Sequence, residues 1–248
     1  MSPDPWLLLT GAVVAGFVQG LSGFGFSMVA MSFWVWGLDP RAAAVLAVFG
    51  SLTGQIVAAF SVRRTLGWRD LMPFLAGGAM GVPIGVALLP HLNPAWFKLV
   101  FGTLLVAWCP VMLFAHQLPK FTAGGRWADA AVGSVGGFLG GLGGFSGAAP
   151  TLWCTLRGMD KTRQRSIIQT FNLAALAVTM AAYVTTGAVD RALLPTMAMV
   201  AVALLVPSLI GARVYVGLSP AAFRRVVLSL LSLSGLAMLA TSIPKLLP

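Results

Sequence analysis

Long apolar stretches recur along the chain, separated by short polar ones. Residues 42–62, 71–90, 95–117, 166–186, 191–212 and 221–243 each read as one helix, since about 20 apolar residues cover ~30 Å of hydrocarbon. Two further runs, 6–36 and 129–157, are interrupted by glycines. The first is long for one crossing, while its arms of about 15 and 11 residues are short for one. Each broken run predicts either a single kinked helix or two half-helices folded into a re-entrant hairpin. Asp39-Pro40 predicts an N-cap followed by proline at the first helical position. Pro110 predicts a kink within 95–117, and Pro207 lies inside 191–212.

The two broken runs are copies of each other. GFVQGLSGFG at 16–25 returns as GFLGGLGGFS at 137–146, at an offset of 121 residues. Over 16–39 and 137–160, eight of 24 positions are identical, among them Gly20/Gly141, Gly23/Gly144, Phe24/Phe145 and Asp39/Asp160. Leu92-Asn93-Pro94-Ala95 likewise returns as Leu218-Ser219-Pro220-Ala221. The expected architecture is an all-α integral membrane protein of two tandem four-segment repeats. Each repeat has one glycine-broken segment and three transmembrane helices. Repeat one covers 5–117, a polar linker 118–128, and repeat two 129–245.

Composition agrees. Of 248 residues, 58% are hydrophobic and 9% charged, against about a quarter charged in soluble domains, and the mean hydropathy is +0.91. The net charge of +10 does not point to nucleic acid, because the basic residues lie between the apolar stretches, where they orient a membrane protein. The start, MSPDPWLLLT, lacks the basic region of a removed signal peptide. Cys109 and Cys154 sit inside apolar runs and form neither a disulfide framework nor a metal-ligand spacing.

Charge placement separates two topologies. With both broken runs crossing, the basic residues divide seven against nine. With both re-entrant, six spans remain and the division is twelve against four: Arg41, Lys98, Arg191 and Lys245 fall on one side and the other twelve on the second. The latter shows the bias expected of short loops, predicts a cytoplasmic twelve-residue side, and makes the repeats inverted.

Glycine clusters at matching places in two halves point to a substrate site. A broken helix exposes backbone groups, and N–H groups at a half-helix N-terminus favour anions. The second arms are expected to begin near Phe26-Ser27 and Ala148–Pro150, with Ser22, Ser27 and Ser146 adding hydroxyls. Gln19 lies within the first run, and Gln169 and Asn172 lie in the span after the second. The alternative is that the glycines only let helices pack closely. The six acidic residues are all Asp, at Asp4, Asp39, Asp70, Asp129, Asp160 and Asp190. Each sits at a segment boundary, where capping accounts for most of them, and His91 and His116 lie near span ends. No mid-span carboxylate or histidine suggests a proton relay, a cation site or an intramembrane enzyme. The basic cluster from Arg157 to Arg165 reads as an orientation signal.

GGFLGGLGGFSGAAPTLWCTLRGMDKTRQRS at 136–166 resembles the TauE/SafE family, also called the sulfite exporter or 4-toluene sulfonate uptake permease family. A glycine run is followed by proline, here Pro150, and then by a Gly-x-Asp turn. The first copy, GLSGFGFSMVAMSFWVWGLDPRAAA, matches the same pattern but has Val29 where the proline would align. The resemblance covers essentially the whole chain. It implies a multi-pass transporter in a bacterial inner membrane for sulfite, sulfoacetate or organosulfonates. The family pattern contributes Gly141, Gly143, Gly144, Ser146, Gly147 and Pro150, with Gly20, Ser22, Gly23 and Gly25 as their first-half counterparts. With Gln19, Ser27, Gln169 and Asn172 these are the expected substrate-binding residues. No catalytic residue, metal or cofactor is expected. The partners are a small anion and the lipid bilayer, and a homo-oligomer is compatible with the pattern. The runner-up is a membrane assembly or scaffold protein, which would pack dryly between the glycine stretches.

Overall fold

The computed structural model describes residues 4–61, 67–115, 117, 120, 121, 124–214 and 220–246. The loop carrying Arg63 and Arg64, His116, part of the linker and the Leu218-Ser219 pair lie outside the described residues. Among those described, every regular element is helical. The first half comprises α1 (Pro5–Ser22), α2 (Phe26–Trp34), α3 (Pro40–Ser61), α4 (Trp68–Leu88) and α5 (Pro94–Phe114). The second comprises α6 (Gly125–Gly143), α7 (Ala148–Leu156), α8 (Lys161–Thr185), α9 (Leu194–Val214) and α10 (Pro220–Leu246). Helix α6 begins at Gly125, inside the stretch expected as linker.

Helix starts follow local chemistry. Asp4 caps α1 by accepting from Trp6 N at 3.0 Å, Asn93 caps α5 through Trp96 N at 2.9 Å, and Asp160 caps α8 through Thr162 N and Arg163 N. The breaks are sharper than the glycine-rich runs suggest. Helix α1 continues through Gly20 and ends at Gly23 (φ 77°), whose N–H bonds Gln19 O. Helix α6 ends at Gly144 (φ 83°), whose N–H bonds Gly140 O. Both caps need the left-handed region, which only glycine enters without cost. The first arm is thus longer than the expected 15 residues. At 18 residues, α1 is one of seven helices among the described residues that are long and apolar enough to cross a membrane. The nine residues of α2 and of α7 rise only about 13 Å.

Both broken segments fold back on themselves. The Trp34 indole at the end of α2 donates to Leu8 O, near the start of α1, at 3.2 Å. In the second, Asp129 near the start of α6 accepts from Trp153 Nε1 at 2.7 Å and from Arg157 Nη1 at 2.9 Å, at the end of α7. The chain therefore leaves each hairpin at the end where it entered. Two contacts mark one end of the bundle: Arg41 donates to Gly187 O, and Lys98 lies 4.5 Å from the Trp36 ring. Arg163 and Asp70, 2.7 Å apart, mark the other.

Each hairpin grips the opposite half. Helix α6 packs along α4 and α1 along α9, the α5–α10 contact is comparably large, and α3 meets α8. Glycines set the spacing. A side chain at Gly77, Gly81 or Gly85 would overlap the backbone oxygens of Ala130, Ser134 and Phe138, and one at Gly20 would overlap Ser208 O. This is the small-residue packing of membrane helices.

Candidate functional site

The hairpins enter from opposite ends of the bundle and their tips meet. A Cβ on Gly144 would overlap Ser27 Oγ and lie 3.3 Å from Val48 Cγ2. Gly23, the matching position of the first copy, places its missing Cβ 3.0 Å from Gln169 Nε2. Between the tips lies a cavity walled by α1, α2, α3, the α6–α7 break and α8. Its volume is about 20 Å³, room for one or two waters.

Its wall is polar and uncharged. Ser27 Oγ lies 2.6 Å from Ser51 Oγ and donates to Ala47 O at 3.2 Å. Gln19 Nε2 donates to Ser51 O at 3.0 Å, and Gln55 Nε2 to Gly23 O at 2.7 Å. On the far side Ser146 Oγ donates to Asn172 Oδ1 at 3.0 Å, and Asn172 fills the space beside Gly147. Ser51 and Asn172 are separated by the same 121 residues as the repeated glycines. Phe24 and Phe145, identical in the two copies, also line the cavity. Phe145 stacks on Phe101 at 4.7 Å, and Phe24 meets Trp108 edge-on at 6.4 Å. No Asp, Glu, Lys, Arg or His lines the cavity among the described residues.

Helices α2 and α7 begin here, at Phe26 and Ala148, behind N-caps Gly25 and Gly147 that supply no side-chain acceptor. The N–H groups of a first turn lack intrahelical partners and carry the positive end of the dipole. Helix α2 is the stronger donor, because Ala148 N bonds Phe145 O at 3.1 Å and Pro150 has no N–H. Trp108 Nε1, donating to Ala148 O at 2.8 Å, pins the start of α7.

Of the expected residues, Gln19, Gly25, Ser27, Gly144, Ser146, Gly147 and Asn172 line the cavity. The others lie outside its wall. Gly20 and Gly141 abut α9 and α4, which is the close-packing role. Gly23 forms the α1 cap, Gly143 lies under the Phe145 ring, and Pro150 packs beside Gly136. Ser22 is exposed and donates to Val18 O at 2.8 Å. Gln169 is buried beside Gly23, and its Nε2 has no partner among the described residues. Ser51 and Gln55, absent from the expected set, are as central as Gln19. Their only signal is polarity four residues apart within a long apolar span. Asp129 is not a cap but a buried partner of Arg157 and Trp153, so Arg157 is an ion-paired strut between the hairpin arms.

No curated protein and no solved structure matches the chain significantly. Seven helices among the described residues are long and apolar enough to cross a membrane, the description Sulfite exporter TauE/SafE fits residues 8–238 of the chain, and the protein belongs to that family of membrane transporters.

Proposed function

We propose that this membrane transporter moves small sulfur-containing anions, such as sulfite, sulfoacetate or an organosulfonate, through the cavity between the hairpin tips. The observation that carries the reading is the apposition of Ser27 and Gly144 beside a polar, uncharged cavity at the start of two half-helices. Helix dipoles and neutral donors hold an anion without a fixed counter-charge. That suits a ligand which must also leave. A scaffold would pack dryly here, so the cavity speaks for transport.

The hairpin geometry supports six crossings and inverted repeats. Arg157, Lys161, Arg163 and Arg165 follow the second hairpin at the end of the bundle where Asp70 lies. This agrees with the sequence division of twelve basic residues against four, of which Arg63 and Arg64 lie outside the described residues. The twelve-residue end faces the cytoplasm of a bacterial inner membrane on the positive-inside rule. The exchange of α1 for α6 and α9 for α4 between the packed pairs is what inverted repeats produce. The cavity as it stands is smaller than a sulfonate, so transport requires the tips to separate, with one repeat rocking against the other.

Flux of sulfite, sulfate and small sulfonates in proteoliposomes tests the reading. Flux of a sulfur oxyanion that Gly144→Leu loses, while that variant still inserts, supports it. Wild-type flux in Gly144→Leu, or no anion flux in the wild type, overturns it.

A further inference from the structure

Two acceptor oxygens in the cavity wall have no donor. Gln19 and Gln55 are 3% and 2% exposed, and both line the cavity. Oε1 of each is buried without a hydrogen-bond partner among the described residues. Which end of each amide is oxygen follows from the network. Gln19 Nε2 lies 3.0 Å from Ser51 O, and Gln55 Nε2 lies 2.7 Å from Gly23 O. Turning either amide over would set two oxygens against each other. Both carbonyls are therefore left over as acceptors, and an unmet buried acceptor carries the whole cost of its desolvation. The first turn of α2 supplies the donors of the wall, since the Ser27 hydrogen goes to Ala47 O and the Ser51 hydrogen therefore to Ser27 Oγ.

The wall thus offers donors and acceptors together. A bare oxyanion satisfies the donors but sets its own oxygens against Gln19 Oε1 and Gln55 Oε1. A metal cation meets the two carbonyls but also the positive end of α2. An oxyanion carrying a hydrogen satisfies both. Resting on the substrate site proposed above, we infer that this pocket takes its anion in a hydrogen-bearing form, such as hydrogen sulfite. It rejects donor-free anions of the same charge, such as methanesulfonate. Gln19 and Gln55 are the specificity-determining residues.

The test compares these two anions on the purified full chain in mildly acidic buffer, where sulfite is the hydrogen-bearing monoanion. Binding is read from ligand-induced thermal stabilisation in detergent, and flux from proteoliposomes. Hydrogen sulfite should bind at least about tenfold more tightly than methanesulfonate, since a site with unmet polar groups discriminates strongly. Gln19→Met and Gln55→Met should each narrow that ratio while methanesulfonate binding holds or improves. Equal binding and flux of both anions by the wild type overturns the inference and leaves the transport reading intact. Selective binding without flux does the reverse. Stabilisation by sodium chloride and sodium methanesulfonate alike, with no added effect of hydrogen sulfite, assigns the oxygens to a cation and overturns the inference. Binding of neither anion removes both readings, the oxygens then being met by water. The wild-type comparison stands by itself if a variant fails to fold.

Discussion

The hydroxyl of Ser27, on the first turn of α2, occupies the space that a side chain on Gly144 would fill. Two segments more than a hundred residues apart in sequence thus close on each other at the one place where both helices are broken. Gly144 is needed twice over, once for its left-handed backbone (φ 83°) and once for its missing Cβ.

Those two requirements separate by experiment. Gly187 is also left-handed (φ 69°), but a Cβ there meets nothing within 4 Å. Gly187→Ala should cost only the backbone term, about 1–2 kcal/mol. Gly144→Ala adds the overlap with Ser27 and should lower the melting temperature clearly further. Equal melting temperatures for the two variants would show that the tips are not in contact.

Two ion pairs among the described residues should differ in weight. Asp129 and Arg157 have side chains only 10% and 23% exposed, and Asp129 also accepts from Trp153. Asp129→Ala strands both donors and should cost roughly 1–3 kcal/mol. Asp70 and Arg163 are 36% and 51% exposed, so Asp70→Ala should cost less than about 1 kcal/mol. Thermal unfolding of the two variants side by side checks the order.

Topology is open to labelling. Single cysteines replacing Arg126 and Arg165 should react with a membrane-impermeant thiol reagent from one side of sealed vesicles, and those replacing Arg41 and Arg191 from the other. The native Cys109 and Cys154 are buried, which keeps the background low. Labelling of the replacements at Arg126 and Arg165 from opposite sides would refute the fold-back of the second hairpin.

A smaller effect is expected at α8. The Tyr183 hydroxyl donates to Gly141 O at 2.7 Å and is fully buried. Tyr183→Phe should lower stability by about 1 kcal/mol, read as a melting shift without loss of flux.

Much of this was legible in the chain, and the gaps have physical reasons. Hydropathy and the repeated glycines locate every helix, and the second arms start at Phe26 and Ala148 as expected. Glycine content alone does not say which glycine ends a helix. Gly20 and Gly141 remain helical because their job is contact with α9 and α4, and only Gly23 and Gly144 turn left-handed. Ser51 and Gln55 are invisible to a local reading because α3 looks like an ordinary span. Their meaning comes from Gln19 and Gly23, more than thirty residues earlier in sequence, to which they bond. Asp129 sits near a segment start, where capping is the natural reading, and only the return of α7 brings Trp153 and Arg157 to it.

The crossed grip of the hairpins bears on synthesis. Helix α1 finds its main partner in α9, made about 170 residues later, and α4 waits for α6. Contacts this distant in sequence form late. The first half leaves the ribosome with the glycine edges of α1 and α4 uncovered, and it holds only one wall of the pocket. Neither half covers its own glycine edges, and the packing is complete only once α9 has closed against α1.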